Sequence, residues 1–129
     1  MTCFWDGIFK SLKHDDFKFI REKKTNIRNL INILKNKNTE MNDVYWQKTK
    51  LKKQEIKEHM TAIKDYKINK INGGHLTSSC DSFLLLVCQL FQVKILHRYM
   101  KHTIIYQNSK KERKTLKFSS SNSHFVCCR

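Results

Sequence analysis

Two side chains with complementary chemistry stand near the two ends of this 129-residue chain, Cys3 and His124. Cys3 heads an apolar stretch in which Phe4, Ile8, Phe9 and Leu12 fall at helical spacing, predicting a helix from Thr2 or Cys3 to His14. A thiol at a helix N-terminus feels the positive end of the macrodipole, which favours the thiolate. A thiolate nucleophile needs an imidazole to take its proton, and that histidine commonly lies far away in sequence. His124 meets the description, at the start of the last predicted strand and after a serine-rich turn, Ser119 to Ser123. By itself the pair has a plain reading, a small core thiol and an unrelated surface imidazole. Its weight comes from the elements around it.

Other residues with chemical potential have weaker spacing. Cys127-Cys128 lacks the Cys-x2–4-Cys gap of a structural zinc pair, and strand alternation sends the two thiols to opposite faces. His75, Cys80 and Cys88 could meet by chance at a metal, but they read first as a loop histidine and two core thiols. Trp5, Tyr45 and Trp46 have faces that can stack on bases, though aromatics beside helical stripes read first as core.

The elements that must position these groups follow from periodicity. Ile27, Leu30, Ile31 and Leu34 make a helical stripe with Thr25 as the N-cap. Asp43 to Tyr66 reads as one lysine-laden helix capped by Asp43, with Lys48 to Lys57 on its solvated face. Gly73-Gly74 marks a loop. Asp81 to Phe91, apolar on nearly every side, reads as a helix buried between layers. Val93 to Tyr99 and Thr103 to Tyr106 alternate and predict a hairpin across Met100-Lys101-His102. Asn108 to Lys114 is a basic loop, Thr115 to Phe118 a third strand, and His124 to Cys128 a last one. The sum is a single α+β domain over residues 1–129, N-terminal helices packed on a small antiparallel sheet.

Composition bounds the function. Lys and Arg total 26 against 11 Asp and Glu, a net charge of +15. Such a balance admits an acidic partner, RNA or DNA, through the lysine-rich helix. Lysine dominates over arginine, the residue better suited to reading bases, so charge alone identifies no partner. The longest apolar run, Phe83 to Cys88, falls far short of the ~20 residues of a membrane span. Lys10, Lys13, His14, Asp15 and Asp16 interrupt any signal-peptide core after Met1, and the five cysteines lack paired spacing. Reduced thiols and a cytoplasmic location are expected.

In their order along the chain these features resemble the OTU (ovarian tumour) family of papain-like cysteine proteases, especially its small viral members. That family's nucleophile opens a helix as Cys, two large apolar residues, any residue, a small residue and an aliphatic one. Cys3-Phe4-Trp5-Asp6-Gly7-Ile8 has that form. Gly73-Gly74 before a buried helix and strand, and Thr115 to Phe118 before His124-Phe125, match the later pattern. Residues 13 to 65 match only as generic helices. The resemblance implies a papain-like fold, Cys3 as nucleophile and His124 as general base. Val126 occupies the position where many members carry the Asp or Asn that orients the histidine, and Asn122 is the substitute. Only Met1 and Thr2 precede Cys3, so the family's oxyanion loop is expected to be either missing or built elsewhere. An alternative register aligns Asp6-Gly7-Ile8 with that loop, puts Phe9 at the nucleophile position and implies an inactive, ubiquitin-binding relative. The implied substrate is a conjugate of ubiquitin or a ubiquitin-like modifier, or else a viral polyprotein, cleaved without cofactor or metal, in the host cytoplasm if the chain is viral.

Overall fold

A computed structural model describes residues 3–67, 80–120 and 125–128, without the side chains of Cys3 and of residues 125–128. Five helices and six strands run in the order α1 (Cys3–Ser11), α2 (His14–Phe19), α3 (Ile27–Asn36), β1 (Val44–Trp46), β2 (Thr49–Lys50), α4 (Lys53–Asp65), α5 (Cys80–Phe91), β3 (Lys94–Tyr99), β4 (His102–Asn108), β5 (Thr115–Ser120) and β6 (Phe125–Cys128). The fold is α+β. Its strands form one sheet in the order β2-β1-β4-β3-β5-β6.

The sheet is mixed, which corrects the expected antiparallel arrangement: β3 and β5 run parallel, with Ile95 opposite Leu116 and His97 opposite Phe118. After the β3–β4 hairpin, loop 109–114 carries the chain back past β3. Lys94 N–H donates to the Lys114 carbonyl and Arg113 N–H to that of Gln92, so the return starts in register with β3. Every other adjacent pair is antiparallel.

The Asp43–Tyr66 segment also differs from expectation. Instead of one helix it makes a hairpin, β1–β2, and then α4. Val44, Tyr45, Trp46 and Thr49 are β-branched or aromatic, and pairing with β4 rewards them more than the helix would. The turn residues Gln47 and Lys48 both take positive φ, 51° and 66°, as a two-residue primed turn requires. Gln47 then ties the turn to β4, its side chain accepting from Ile105 N–H at 2.8 Å. Helix α4 starts only at Lys53, and Glu55 accepts from Lys52 N–H at 2.9 Å.

Smaller differences have local causes. Asn26, not Thr25, caps α3, accepting from Asn29 N–H at 2.8 Å; such caps are worth about 1 kcal/mol. The short α2 was not expected. Asp16, in its first turn, accepts from Lys13 N–H at 2.8 Å, and Phe17 is fully buried. Ser119 and Ser120 continue β5 where a turn was expected, and the rest of that turn lies outside the described residues, as does Gly73-Gly74.

Strand alternation gives the sheet one covered face. Val44, Ile95, His97, Tyr106, Leu116 and Phe118 are buried beneath the helices. Helix α5 lies over β1, β3 and β4, while α1 lies over β6 and against α3. Seven consecutive residues of α5, Ser82 to Cys88, are buried, which explains its nearly uniform apolarity. Trp5 stands edge-on to Phe83, 4.7 Å between ring centroids, and donates Nε1–H to the Tyr66 hydroxyl at 2.9 Å. Burial of each such aromatic or large aliphatic side chain stabilises the fold by about 1.5–3 kcal/mol. Among the described residues no helix is long and apolar enough to cross a membrane.

Candidate functional site

Cys3 is the first residue of α1, as the helical spacing predicts. Phe4, Trp5, Ile8 and Leu12 anchor that helix through their burial. Gly7 is buried as well, and without a Cβ it permits close approach of the helix to its neighbours. The element α1 meets in the sheet is β6, which begins at Phe125, immediately after His124 in the chain. The side chain of Cys3, together with Asn122 and His124, lies outside the described residues. What the structure brings together is the pair of elements flanking these groups. Phe9, the position occupied in the alternative register, is half-buried, edge-on to Phe17 with the Lys24 ammonium 4.6 Å from its ring centre.

A second grouping surrounds the start of α5. Asp81 accepts a short hydrogen bond from the Tyr106 hydroxyl of β4. Ser82 Oγ lies 2.8 Å from His59 Nδ1 on α4, and His97 Nε2 on β3 lies 2.6 Å from Ser120 Oγ on β5. Burial pushes both imidazoles below the ordinary histidine range, against the pull of Asp81, and so favours their neutral forms. Burial and then the Asp81 charge push the Tyr106 phenol and the Cys80 thiol up. A hydroxyl beside a neutral imidazole is the pairing of a nucleophile and its base. Ser82, however, is only 2% exposed, so no substrate carbonyl reaches it in this arrangement. The grouping ties α4 and α5 to the sheet.

The loose cysteine assemblies separate. Cys80 and Cys88 lie eight residues apart on α5, about 12 Å along its axis, too far to share one metal ion. Cys88 donates to the Val93 carbonyl at 2.9 Å, and burial pushes its thiol up, so it is a protonated core group. His75 lies outside the described residues. Among those described, no three His, Cys, Asp or Glu side chains group as a metal site.

Trp5 is core, whereas Trp46 is 39% exposed and Tyr45 half-buried on the hairpin. The lysine run divides accordingly. Lys48 and Lys50 belong to the β1–β2 hairpin, and Lys53 and Lys57 line a groove of about 610 Å³ with Ile56, Met60 and Lys64.

Reading by sequence named Cys80 but missed Asp81, Ser82, His59 and Tyr106 as a connected set. Cys80-Asp81-Ser82 at the head of the most apolar helix is the visible signal, since polar groups carried into a core need partners. The partners stand on α4 and β4, too remote for spacing to find. Comparison with family models, with curated proteins and with solved structures finds no match to the chain.

Proposed function

We propose that this chain is a small papain-like cysteine hydrolase of OTU type that cleaves peptide or isopeptide bonds of ubiquitin or a ubiquitin-like modifier. The observation that carries the reading is the packing of α1 on β6, the helix that Cys3 opens against the strand that His124 precedes. Two elements distant in sequence, α1 and β6, thereby share one edge of the sheet. The buried Gly7 and the mixed sheet under a buried helix support the same reading.

In this mechanism His124 takes the proton of the Cys3 thiol, and the thiolate attacks the scissile carbonyl. Collapse of the tetrahedral species breaks the C–N bond as His124 returns the proton to the leaving amine. Water, deprotonated by His124, then hydrolyses the thioester and regenerates the thiol. Asn122 orients the imidazole.

The test is a ubiquitin bearing an electrophile at its C-terminus. Wild type is labelled, Cys3→Ala is not, and His124→Ala is labelled far more slowly. Labelling that persists in Cys3→Ala but disappears in Cys80→Ala, or no labelling of a folded wild type, rejects the assignment.

A further inference from the structure

We propose that the face of the sheet turned away from the described helices is a binding surface for single-stranded nucleic acid, distinct from the edge where α1 packs on β6. Strand alternation turns Lys94, Leu96 and Arg98 of β3 away from the helices, because Ile95 and His97 between them are buried. The paired registers assign the same face to Lys50 and Tyr45 on the hairpin, Ile105 on β4 and Lys117 on β5. None of the described residues on this face is buried, so no described helix covers it.

Its chemistry is one-sided. Four cations, Lys50, Lys94, Arg98 and Lys117, stand there with no carboxylate among the described residues of the face. None of the four is in an ion pair among the described residues. By contrast two cations of the neighbouring loop are spent internally: Arg113 and Lys114 both hold the buried Asp16. Net charge thus becomes a local field with a direction.

The layout selects among acidic partners. Lys50 and Lys94 are separated by three strand spacings, about 14 Å, and Lys94, Arg98 and Lys117 crowd adjacent strands. Between them lie the Tyr45 ring and the half-buried aliphatic groups of Leu96 and Ile105. Phosphates meet the cations while an unstacked base finds a π-face on Tyr45, the combination by which single strands are held. A lipid surface would call for protruding apolar anchors, whereas the aliphatics of this face, Leu96 and Ile105, are half-buried. The cations span four strand spacings from β2 to β5, about 19 Å, which is too broad for the ~12 Å major groove of a duplex.

The experiment is fluorescence anisotropy of a labelled 20-nucleotide oligothymidylate with the full chain at several salt concentrations. Four phosphate contacts predict a log–log slope of about −3, hence about 50-fold weaker binding for a fourfold rise in salt. The triple variant Lys94→Gln, Arg98→Gln, Lys117→Gln should bring the slope to about −1. Tyr45→Leu should weaken binding about tenfold with the slope unchanged. The matched triple Lys53→Gln, Lys57→Gln, Lys64→Gln removes equal charge from α4 and should leave affinity within about twofold. All substituted side chains are exposed or half-buried, and ultraviolet cross-linking of wild type, mapped to β1 or β3 peptides, reads the surface without any variant. Equal losses from both triples would reduce the effect to bulk attraction and overturn the proposal. So would cross-links confined to α4, tighter binding of duplex than single strand, or binding only to anionic vesicles or polyglutamate.

Discussion

The carboxylate of Asp81, in the first turn of α5, accepts the hydroxyl proton of Tyr106, a residue fully buried on β4. This one bond joins the head of the central helix to the middle of the sheet. Its neighbours extend the link, since Ser82 reaches His59 on α4 and His97 reaches Ser120 on β5. The polar groups at the start of α5 thereby report on the docking of the helical layer as a whole.

Removal of the Tyr106 hydroxyl tests that link. Tyr106→Phe keeps the buried ring and deletes the donor, leaving Asp81 to find another partner. Hydrogen bonds to charged groups are worth about 1.5–3 kcal/mol, so a loss of about 2 kcal/mol is expected in urea unfolding. Asp81→Asn should lose less, because the amide oxygen still accepts. A Tyr106→Phe variant as stable as wild type would show the bond to be dispensable.

Asp16 ties α2 to the loop before β5. It is 1% exposed and accepts from Lys114 at 2.8 Å, Arg113 at 3.1 Å and Lys13 N–H at 2.8 Å. Burial alone would raise its pKa, but these donors together hold it below the ordinary carboxylate value of 3.8. A carboxylate lowered on folding adds stability that is complete above the unfolded pKa and is lost as pH falls through the folded one. Asp16→Asn should therefore cost about 2–3 kcal/mol at pH 7, discounted from a fully buried pair because both cations keep some water. The cost should shrink as pH falls below about 4, because the unfolded wild type takes up the proton there while folded Asp16 still resists it. Thermal unfolding of both proteins from pH 7 to pH 3 makes the comparison, and parallel curves would refute the linkage.

Local signals were legible where one face of one element carries them. The Ile27, Leu30, Ile31 and Leu34 stripe and the apolar Phe83–Cys88 run both lie on helices as spacing predicts. So do the Val93–Tyr99 and Thr103–Tyr106 alternations on strands, whose turn has Met100 at φ 57°. The β1–β2 hairpin was hidden because Gln47-Lys48 takes the left-handed region without the Asn or Gly that announces such turns. Its lysine-rich flanks also imitate a helix face. Parallel pairing of β5 with β3 depends on which edge the returning chain selects, and no local pattern records that choice. At the candidate site, Cys3 at the start of α1 was legible from spacing. The adjacency of α1 and β6 arises only when the sheet orders β6 last.

The two buried imidazoles predict a second pH dependence, in a different window. Burial lowers the pKa values of His59 and His97 from 6.5, although Asp81 acts on both and Glu55 and Glu58 act on His59. The unfolded chain therefore binds protons first as pH falls. Stability is complete above pH 6.5 and is lost as pH drops through the lower folded values. Urea midpoints should fall between pH 7 and pH 5, before the Asp16 transition begins. In His59→Gln, His97→Gln the slope of midpoint against pH should flatten over that range, whatever the variant's absolute stability. An unchanged slope would assign the dependence to other groups.

Thiol reactivity separates the cysteines and bears directly on the proposed nucleophile. Burial raises the pKa values of Cys80 and Cys88, and Cys88 is further engaged with the Val93 carbonyl. Only the thiolate reacts, so iodoacetamide at pH 8 should modify these two more than about tenfold more slowly in the folded chain than in urea. An activated Cys3 should behave oppositely, alkylating first and still reacting at pH 6, because its partner imidazole stabilises the thiolate. Peptide mapping after timed quenching resolves each site. His124→Ala should slow Cys3 at pH 6 and leave Cys80 and Cys88 unchanged, a selectivity that general loosening of the fold would not produce. If Cys3 reacts at the rate of a free thiol and ignores His124, the nucleophile is not activated, and the hydrolase reading falls with it.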